Sequence, residues 1–396
     1  MRSSGWRLFG RASKRAGGAI FVDSFRTQRS NAKMTTDASE QSTGSKGPLA
    51  GVRVLDLSAV VSGPMAAVML ADQGAEVIKI EPPGWGDGVR GLGASRNGVS
   101  AIFTLINRNK KSVAINLKHP QGCALVADLI SSADVVMQNF RPGKMEKLGL
   151  DYHSLKSSHP DLIYLSISGM GEVGPYRGQK VYDYVIQAMS GLLEAQAVEN
   201  RYAMVRTIIF DKVTALTAAQ AITAALFARE RGAGGQHISL SMLDTALYFN
   251  WPDLMWNQSF EGPGAAKAGD LADMYEIAAT EDGAVVAHHL GTDLRHYSTE
   301  AILELFAQHE IPVGRVNSRD AVLTDPQITA SGTLERFSHP RAGDMIHPRS
   351  PARFSKTEVG SQRPSPDLGE HTADVLMELG YSIETLQDWA REGIIG

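Results

Sequence analysis

Short apolar runs alternate with longer mixed segments from residue 51 onward. Five of the runs have the length of buried strands, and they cover residues 52–57, 76–80, 112–117, 134–138 and 162–167. Helices are predicted for residues 64–72, 120–130, 184–193 and 213–229. Buried strands that alternate with helices indicate a parallel sheet covered by helices on both faces. The pattern therefore predicts an α/β fold with a doubly wound parallel sheet.

The composition is that of a globular protein with a sizeable core, since 43% of the 396 residues are hydrophobic. A formal net charge of −4 argues against a nucleic-acid-binding protein. Cys123 is the single cysteine, which excludes a disulfide framework and a cysteine-based zinc site. No histidine or acidic spacing indicates another metal. The most apolar stretches, such as 215–228, are too short to span a bilayer. We expect an enzyme without nucleic-acid or membrane partners.

The amino-terminal segment differs in charge from the rest of the chain. Residues 1–46 contain nine basic and three acidic residues. Such an arginine- and serine-rich, acid-poor start resembles a mitochondrial transit peptide, and the polar residues 35–47 predict a disordered linker. A disordered tail, or a true start at Met34, stays open. We expect a mitochondrial protein, otherwise a cytoplasmic one, whose fold begins after residue 47.

A dinucleotide site is excluded by the first turn between strand and helix. Such a site needs a glycine-rich fingerprint where the strand meets the helix. The turn at 59–64 contains one glycine, Gly63. Glu81 lies where a ribose-binding acid would follow the second strand, but alone it indicates only a solvated strand end. We therefore expect no NAD or FAD.

Basic residues gather around two of the predicted strands: Arg108, Lys110, Lys111 and Lys118 around one, and Arg141, Lys144 and Lys147 after another. The second group follows the carboxyl end of its strand, where open α/β sheets bind ligands. Converging cations suit a ligand that carries several phosphates. Charge alone leaves open that these are solvated loop residues.

A series of motifs from about residue 49 to the carboxyl terminus resembles one family. In chain order the motifs are GVRVLDL at 51–57, SGP at 62–64, GAEVIKIE at 74–81, NRNKKS at 107–112, NFRPG at 139–143, SGMG at 168–171, YD at 182–183, GGQ at 234–236, IPVG at 311–314, DPQ at 325–327 and LGEHT at 368–372. The chain thereby resembles the class III CoA-transferases, the group of formyl-CoA transferase, the carnitine CoA-transferases and α-methylacyl-CoA racemase. Within it, the chain resembles the succinate–hydroxymethylglutarate-type enzymes.

The resemblance implies a Rossmann-like large domain and a smaller α/β domain inserted in it. We expect the large domain at 48–228, the small domain at 229–330 and a carboxyl-terminal segment, 331–396, that returns to the large domain. The family forms interlocked homodimers, and we expect one here. The small domain is shortened, because only residues 288–310 precede the IPVG motif, and the family's glycine-rich loop has no counterpart.

The resemblance also implies chemistry without a permanently bound cofactor. Coenzyme A enters as the acyl-CoA substrate, and the acceptor is a small carboxylic acid. An aspartate attacks the thioester, and transfer proceeds through a mixed anhydride and an aspartyl-CoA intermediate. Such a nucleophile must be an ionised carboxylate close to the thioester.

Two acids match the family's site positions. Asp211 matches the nucleophile and begins a predicted helix, whose positive end would keep it ionised; without the family match, a helix-capping role would be preferred. Asp183 matches an acid beside the thioester, which in the racemase branch moves the α-proton. From the residues alone, Asp183 could equally cap the helix at 184–193.

The matching positions also predict the CoA contacts. They are Val61, Ser62, Ile115, Asn116, Leu117, Lys118, Asn139, Phe140, Arg141, Lys147, Lys180, Val181 and Tyr182. Lys118 and Lys147 are expected to bind phosphates. Ala59 and Pro82 stand where basic residues are frequent in the family. Adenine or phosphate binding at those two places therefore stays open.

Two other functions stay open. A 2-methylacyl-CoA racemase would keep the fold and use Asp183 as acid and base. A CoA-binding protein without catalysis would explain the shortened small domain, because a reactive anhydride must be shielded from water. The acyl donor and the acceptor acid are not identified by the sequence.

Overall fold

The computed structural model describes residues 47–288 and 291–396. The predicted transit peptide and linker, residues 1–47, lie outside this part of the chain apart from Gly47. Within the described residues, no helix combines the length and apolar character needed to cross a membrane.

The strands are short and fall into one large sheet and three small ones. In chain order they are β1 (Arg53–Asp56), β2 (Glu76–Glu81), β3 (Ser95–Arg96), β4 (Val99–Ser100), β5 (Lys110–Ala114), β6 (Val135–Gln138), β7 (Ile163–Ser168), β8 (Gln236–Ser241), β9 (Tyr275–Ala279), β10 (Ala284–His288), β11 (Val313–Arg315), β12 (Leu334–His339) and β13 (Gly343–Pro348).

The helices lie between these strands and at the carboxyl terminus. They are α1 (Ser62–Asp72), α2 (Ala101–Asn107), α3 (Pro120–Ile130), α4 (Lys144–Leu148), α5 (Tyr152–Leu155), α6 (Asp183–Met189), α7 (Leu192–Ala195), α8 (Ile209–Ala228), α9 (Met242–Leu254), α10 (Thr299–Gln308), α11 (Pro326–Ala330), α12 (Thr372–Glu378) and α13 (Ile383–Arg391).

The large sheet has the order β5-β2-β1-β6-β7-β8, and all of its neighbouring strands are parallel. This is the strand order of a Rossmann-type sheet, with the chain moving outward in both directions from β1 and β6. The predicted doubly wound α/β fold is therefore confirmed. Its topological switch point lies between β1 and β6, and the carboxyl ends of these two strands define the place where such sheets bind ligands.

Hydrophobic side chains cover both faces of this sheet. On one face, Leu70 from α1 and Ile222 from α8 pack in a cluster with Val54 and Leu165 of the sheet. On the other face, the helix α3 packs with residues from α12 and α13. The carboxyl-terminal helices thus contribute to the same core as the first strands.

The remaining strands form smaller antiparallel units. Strands β9, β10 and β11 form a three-stranded sheet, against which α10 packs through Ile302 and Phe306. Strands β12 and β13 form a hairpin. The division into domains at 228 and 330 stays a prediction.

One predicted strand is displaced. The apolar run at 112–117 predicted a strand there, whereas β5 covers Lys110–Ala114. Lys110 can begin a buried strand because its ammonium is paired with Asp56, which no hydrophobicity pattern reveals. Ile115 leaves the large sheet and forms a single antiparallel bridge with Ile395 near the carboxyl terminus.

Candidate active site

A crevice of about 260 Å³ lies at the carboxyl edge of the large sheet. The turn after β1 and the segment after β6 form its floor, which places it at the topological switch point. Eight of the predicted site residues line it: Ser62, Asn139, Phe140, Arg141, Lys180, Val181, Tyr182 and Asp211. The structure therefore brings together residues that the sequence spreads over about 150 positions.

The other predicted site residues lie elsewhere. Asp183 does not line the crevice and is buried next to the start of α8. Val61, Ile115 and Leu117 pack in hydrophobic clusters, and the Asn116 side chain donates to the carbonyl of Gly393. Lys118 and Lys147 are exposed and do not line the crevice. Their predicted roles toward CoA stay predictions.

Nine lining residues were not predicted as site residues, although some of them lie in the motifs. They are Ala59, Val60, Pro142, Ile167, Ser168, Gly169, Arg177, Gln179 and Met242. The sequence signal for Gly169 is its place in the motif at 168–171. The structure explains the glycine, because a Cβ atom at this position would lie 2.5 Å from Cβ of Val181. Glycine is thus required where the end of β7 meets the segment that carries Lys180.

Asp211 lies in the first turn of α8 and faces the crevice. Burial and, secondly, the nearby carboxylate of Asp183 raise the pKa of Asp211 to about 6. Contacts with the hydroxyl and the backbone amide of Ser62 oppose this rise in pKa. Asp211 is therefore a half-buried carboxylate that is largely ionised at neutral pH and whose negative charge is incompletely compensated.

The start of α8 is capped by Asp183. Its Oδ1 accepts hydrogen bonds from the backbone N–H groups of Phe210, at 2.7 Å, and Asp211, at 3.2 Å. Gln187 donates to Oδ2 at 2.6 Å, and the Asp183 side chain is 4% exposed. Asp183 therefore caps α8, which lies far along the chain, and not the helix that it begins. The positive end of α8, expected to keep Asp211 ionised, is thus occupied by Asp183.

Cations surround the entrance to the crevice. Arg141, Arg177 and Lys180 line it and are exposed. The ammonium of Lys180 lies 5.1 Å from the centre of the Tyr182 ring. The crevice therefore combines three exposed cations with one carboxylate, that of Asp211, and such a concentration of positive charge attracts anions.

Two of the basic residues around β5, Arg108 and Lys110, have structural roles instead. Lys110 is fully buried, with its Nζ 2.9 Å from Oδ2 of Asp56, and burial lowers the pKa of Lys110 to about 8. Arg108 pairs with Asp72 at 2.5 Å. These two cations belong to the core of the sheet and are not a phosphate site.

Glu81 also differs from the expectation. It is 1% exposed, and its carboxylate pairs with Arg90 at 2.7 Å. These contacts hold the pKa of Glu81 below its ordinary value although burial alone would raise it. The interpretation of Glu81 as a solvated strand end is wrong, because the turn after β2 folds back over it.

A second cavity of about 370 Å³ adjoins the crevice and shares Phe140, Arg141 and Arg177 with it. The rings of Tyr152 and His237 stack in this cavity with centroids 5.3 Å apart. The shared residues give the site two compartments, separated by the segment that follows β6.

No group of three or more histidine, cysteine or acidic side chains is placed to hold a metal ion within residues 47–288 and 291–396. Among the residues that line the crevice, Asp211 supplies the carboxylate and Arg141, Arg177 and Lys180 supply the cations.

Comparison with known proteins gives a consistent result. The family model described as CoA-transferase family III matches residues 49–294 and 286–372. The two matching stretches overlap at residues 286–294. Most of the chain is thus covered by one family.

Similar proteins of known activity cover nearly the same length. The succinate–glutarate CoA-transferase of Agrobacterium fabrum is 33% identical over 84% of this chain and 96% of its own length. The succinyl-CoA:glutarate CoA-transferase of Homo sapiens is 30% identical over 88% of this chain and 90% of its own. The formyl-CoA:oxalate CoA-transferase of Afipia carboxidovorans is 30% identical over 88% and 97%.

Among solved structures, a CAIB/BAIF family protein from Brucella suis is similar in fold. It has a TM-score of 0.74 and 29% sequence identity, and the match covers 84% of this chain and all of that one.

Proposed function

Because the chain belongs to CoA-transferase family III, we propose that it moves CoA from an acyl-CoA thioester to a small dicarboxylic acid, with Asp211 as the nucleophile. The similar enzymes are named for succinate, glutarate and oxalate, all of which are dicarboxylates. The observation that carries the proposal is that Asp211 lines the same crevice as the exposed cations Arg141, Arg177 and Lys180.

The reaction is balanced without metal or ATP. The Asp211 carboxylate attacks the thioester carbonyl, the carbon–sulfur bond breaks, and CoA leaves as a thiolate. The thiolate attacks the aspartyl carbonyl of the mixed anhydride, which releases the donor acid and leaves aspartyl-CoA. The acceptor carboxylate then displaces the thiolate from aspartyl-CoA. In the last step the thiolate attacks the acceptor carbonyl of the new anhydride and regenerates Asp211.

The raised pKa of Asp211, about 6, suits this role. A carboxylate of higher pKa is a better nucleophile and a poorer leaving group, yet this one is still mostly ionised at pH 7. The exposed cations Arg141, Arg177 and Lys180 would attract the phosphates of CoA and the carboxylates of the acids.

Assembly and location belong to the same proposal. Helix α9 and the segment after it carry exposed aromatic side chains, among them Tyr248, 87% exposed, and Phe260, 71% exposed. Clustered exposed aromatics favour a protein interface, which supports the expected homodimer. The basic, acid-poor residues 1–46 support a mitochondrial location.

The racemase alternative is not favoured by the surroundings of Asp183. Both of its carboxylate oxygens accept hydrogen bonds from protein groups, and the side chain is almost fully buried. Such an acid lacks a free path to an α-proton. We therefore assign Asp183 to the support of Asp211.

Intact-mass spectrometry tests the nucleophile. The protein is mixed with succinyl-CoA, glutaryl-CoA and acetyl-CoA, and a covalent adduct on the Asp211 peptide is expected with at least one of them. Asp211→Ala should form no adduct and show no transfer, while it binds CoA in calorimetry. The matched control is Asp244→Asn, which removes an exposed acid from the first turn of α9.

Three outcomes would contradict the proposal. Transfer by Asp211→Ala above a few per cent of the unmodified protein would reject Asp211. Deuterium uptake at the α-carbon of a 2-methylacyl-CoA, without an acceptor acid, would favour the racemase. CoA binding without any Asp211-dependent transfer or hydrolysis would indicate a protein without catalysis.

A further inference from the structure

Val60 has a backbone conformation that its side chain disfavours. It lies in the turn between β1 and α1, and its φ of 71° is in the left-handed region. A β-branched residue rarely adopts this region, because Cβ is then crowded by the backbone. Such residues persist only where the surrounding structure imposes them, and they occur preferentially at functional sites. Val60 lines the crevice that contains Asp211.

A buried ion pair holds this conformation. The backbone N–H of Val60 lies 3.2 Å from both carboxylate oxygens of Asp87. Oδ2 of Asp87 is 3.0 Å from Nζ of Lys79, and the two side chains are 1% and 0% exposed. The same ammonium donates to the carbonyl of Ser58 at 2.8 Å. One ion pair thus fixes the turn at two points.

The opposite side of the turn is fixed as well. The side chain of Asn139 accepts from the N–H of Ala59 at 2.9 Å and donates to its carbonyl at 2.7 Å. Asp56 accepts from the N–H of Ser58 at 3.0 Å. The backbone of residues 58–60 is therefore tied to side chains from β1, β2 and the segments after β2 and β6.

The turn leads directly to the nucleophile. Ser62 begins α1 two residues after Val60 and lines the crevice together with Val60 and Asp211. Hydrogen bonding from the hydroxyl and the backbone amide of Ser62 opposes the rise in the pKa of Asp211. A change of φ at Val60 would redirect the chain that leads to Ser62, so the turn and the position of Ser62 beside Asp211 are coupled.

Stability alone does not account for this arrangement. Replacement of a buried ion pair by apolar side chains often leaves the stability of the fold unchanged or increases it. A valine in the left-handed region lowers the stability of the fold. Two unfavourable features in contact with each other, one of them in the wall of the site, indicate a functional constraint.

We propose that the buried pair of Lys79 and Asp87 is a positioning device for acyl transfer, which holds Val60 in its left-handed conformation and thereby aims Ser62 at Asp211. The proposal deepens the function proposed above and rests on Asp211 being the nucleophile. Lys79 and Asp87 touch no substrate in this scheme and act through the turn.

The pH profile separates positioning from a merely structural role. The Ser62 contacts oppose the raised pKa of Asp211, so their loss raises this pKa further. The charged groups facing Asp211 are Asp183 from α6 and, around the crevice, Arg141, Arg177 and Lys180. None of these four residues belongs to the turn or to the ion pair of Lys79 and Asp87.

The experiment is a double-mutant cycle between Asp87→Asn and Val60→Gly, with kcat/KM for the acyl-CoA measured from pH 5 to 8. Asparagine keeps the shape of Asp87 but loses the charge that pairs with Lys79. With Val60 in place, we expect Asp87→Asn to lower kcat/KM about 10- to 100-fold. We also expect the midpoint of the acid limb, the acidic side of the pH profile on which Asp211 becomes protonated, to move to higher pH. In the Val60→Gly background we expect a much smaller loss, because glycine adopts positive φ without support.

Equal fold losses in the two backgrounds, with an unchanged midpoint, would overturn the proposal. Thermal unfolding and circular dichroism of each variant show whether it folds. If Asp87→Asn does not fold, Ser62→Ala tests the interaction of Ser62 with Asp211 directly. It should also move the acid limb to higher pH, and an unmoved limb would overturn the proposal equally.

The two proposals fail separately. If Asp211→Ala transfers acyl groups, the assignment of the nucleophile is wrong whatever the cycle shows. If Asp211→Ala is inactive and the cycle is additive, only the positioning role is wrong.

Discussion

The carboxylate of Asp183 accepts a hydrogen bond at 3.2 Å from the backbone N–H of Asp211. The two acids are therefore held side by side by the start of α8, although 28 positions separate them. This proximity has a chemical consequence, because the charge of Asp183 adds to burial in raising the pKa of Asp211. One acid fixes the helix, and the other faces the crevice.

Asp183→Asn should shift the activity of the protein to lower pH. Removal of the neighbouring negative charge lowers the pKa of Asp211, so the midpoint of the acid limb of kcat/KM should fall below about 6. The amide would also face the donor Nε2 of Gln187, so a loss of about 1–3 kcal/mol in unfolding free energy is expected. An acid limb that stays in place would show that Asp183 does not act on the nucleophile.

Asp211→Asn should stabilise the fold at neutral pH. The folded-state pKa of Asp211, about 6, lies above the ordinary 3.8. Ionisation of this acid therefore lowers the free energy of unfolding as pH rises from 3.8 to about 6, and the full loss is present above that pH. Asparagine removes the charge, for a gain on the order of 2 kcal/mol at pH 7.5.

The internal control for this prediction is pH 5, where the wild-type carboxyl is mostly protonated. The difference in thermal midpoint between the two proteins should shrink there. A stabilisation of the same size at both pH values would mean that charge burial is not the cause.

Lys180→Gln should weaken acyl-CoA binding. Its ammonium stands exposed at the rim of the crevice, where it can contact the phosphates of CoA. We expect KM for the acyl-CoA to rise about tenfold at low ionic strength and less at high salt, because screening weakens such contacts. Lys111→Gln is the matched control, since Lys111 pairs with Glu76 near the amino edge of the sheet. Equal effects of both variants would reject a specific contact.

Arg177→Gln should affect the acceptor acid more than the acyl-CoA. Arg177 lines both the crevice and the adjoining cavity, and a guanidinium can bind a carboxylate through two parallel hydrogen bonds. We expect KM for succinate or glutarate to rise about tenfold, with little change for a monocarboxylate acceptor. Arg231→Gln, at the distant end of α8, serves as the control. The same rise for mono- and dicarboxylates would argue against this contact.

The sequence by itself determined the class of fold, the family and the identity of the nucleophile candidate. Apolar runs predicted five of the six strands of the large sheet, because burial on both faces requires nearly continuous hydrophobic segments; β8, Gln236–Ser241, was not predicted. The family resemblance supplied Asp211 and seven of the sixteen residues that line the crevice with it. These are local properties, which short stretches of chain encode.

Only the tertiary structure decided how the charged groups are paired. Lys110 meets Asp56 across 54 positions, and Lys79 meets Asp87 in the core, so side chains that resemble solvated cations in the sequence are buried. Asp183 caps α8 and not the helix that it begins. The left-handed Val60 has no sequence signature. The physical reason is that ion pairs and caps form where separate strands and helices come into register, and that register is set by the packing of the whole sheet.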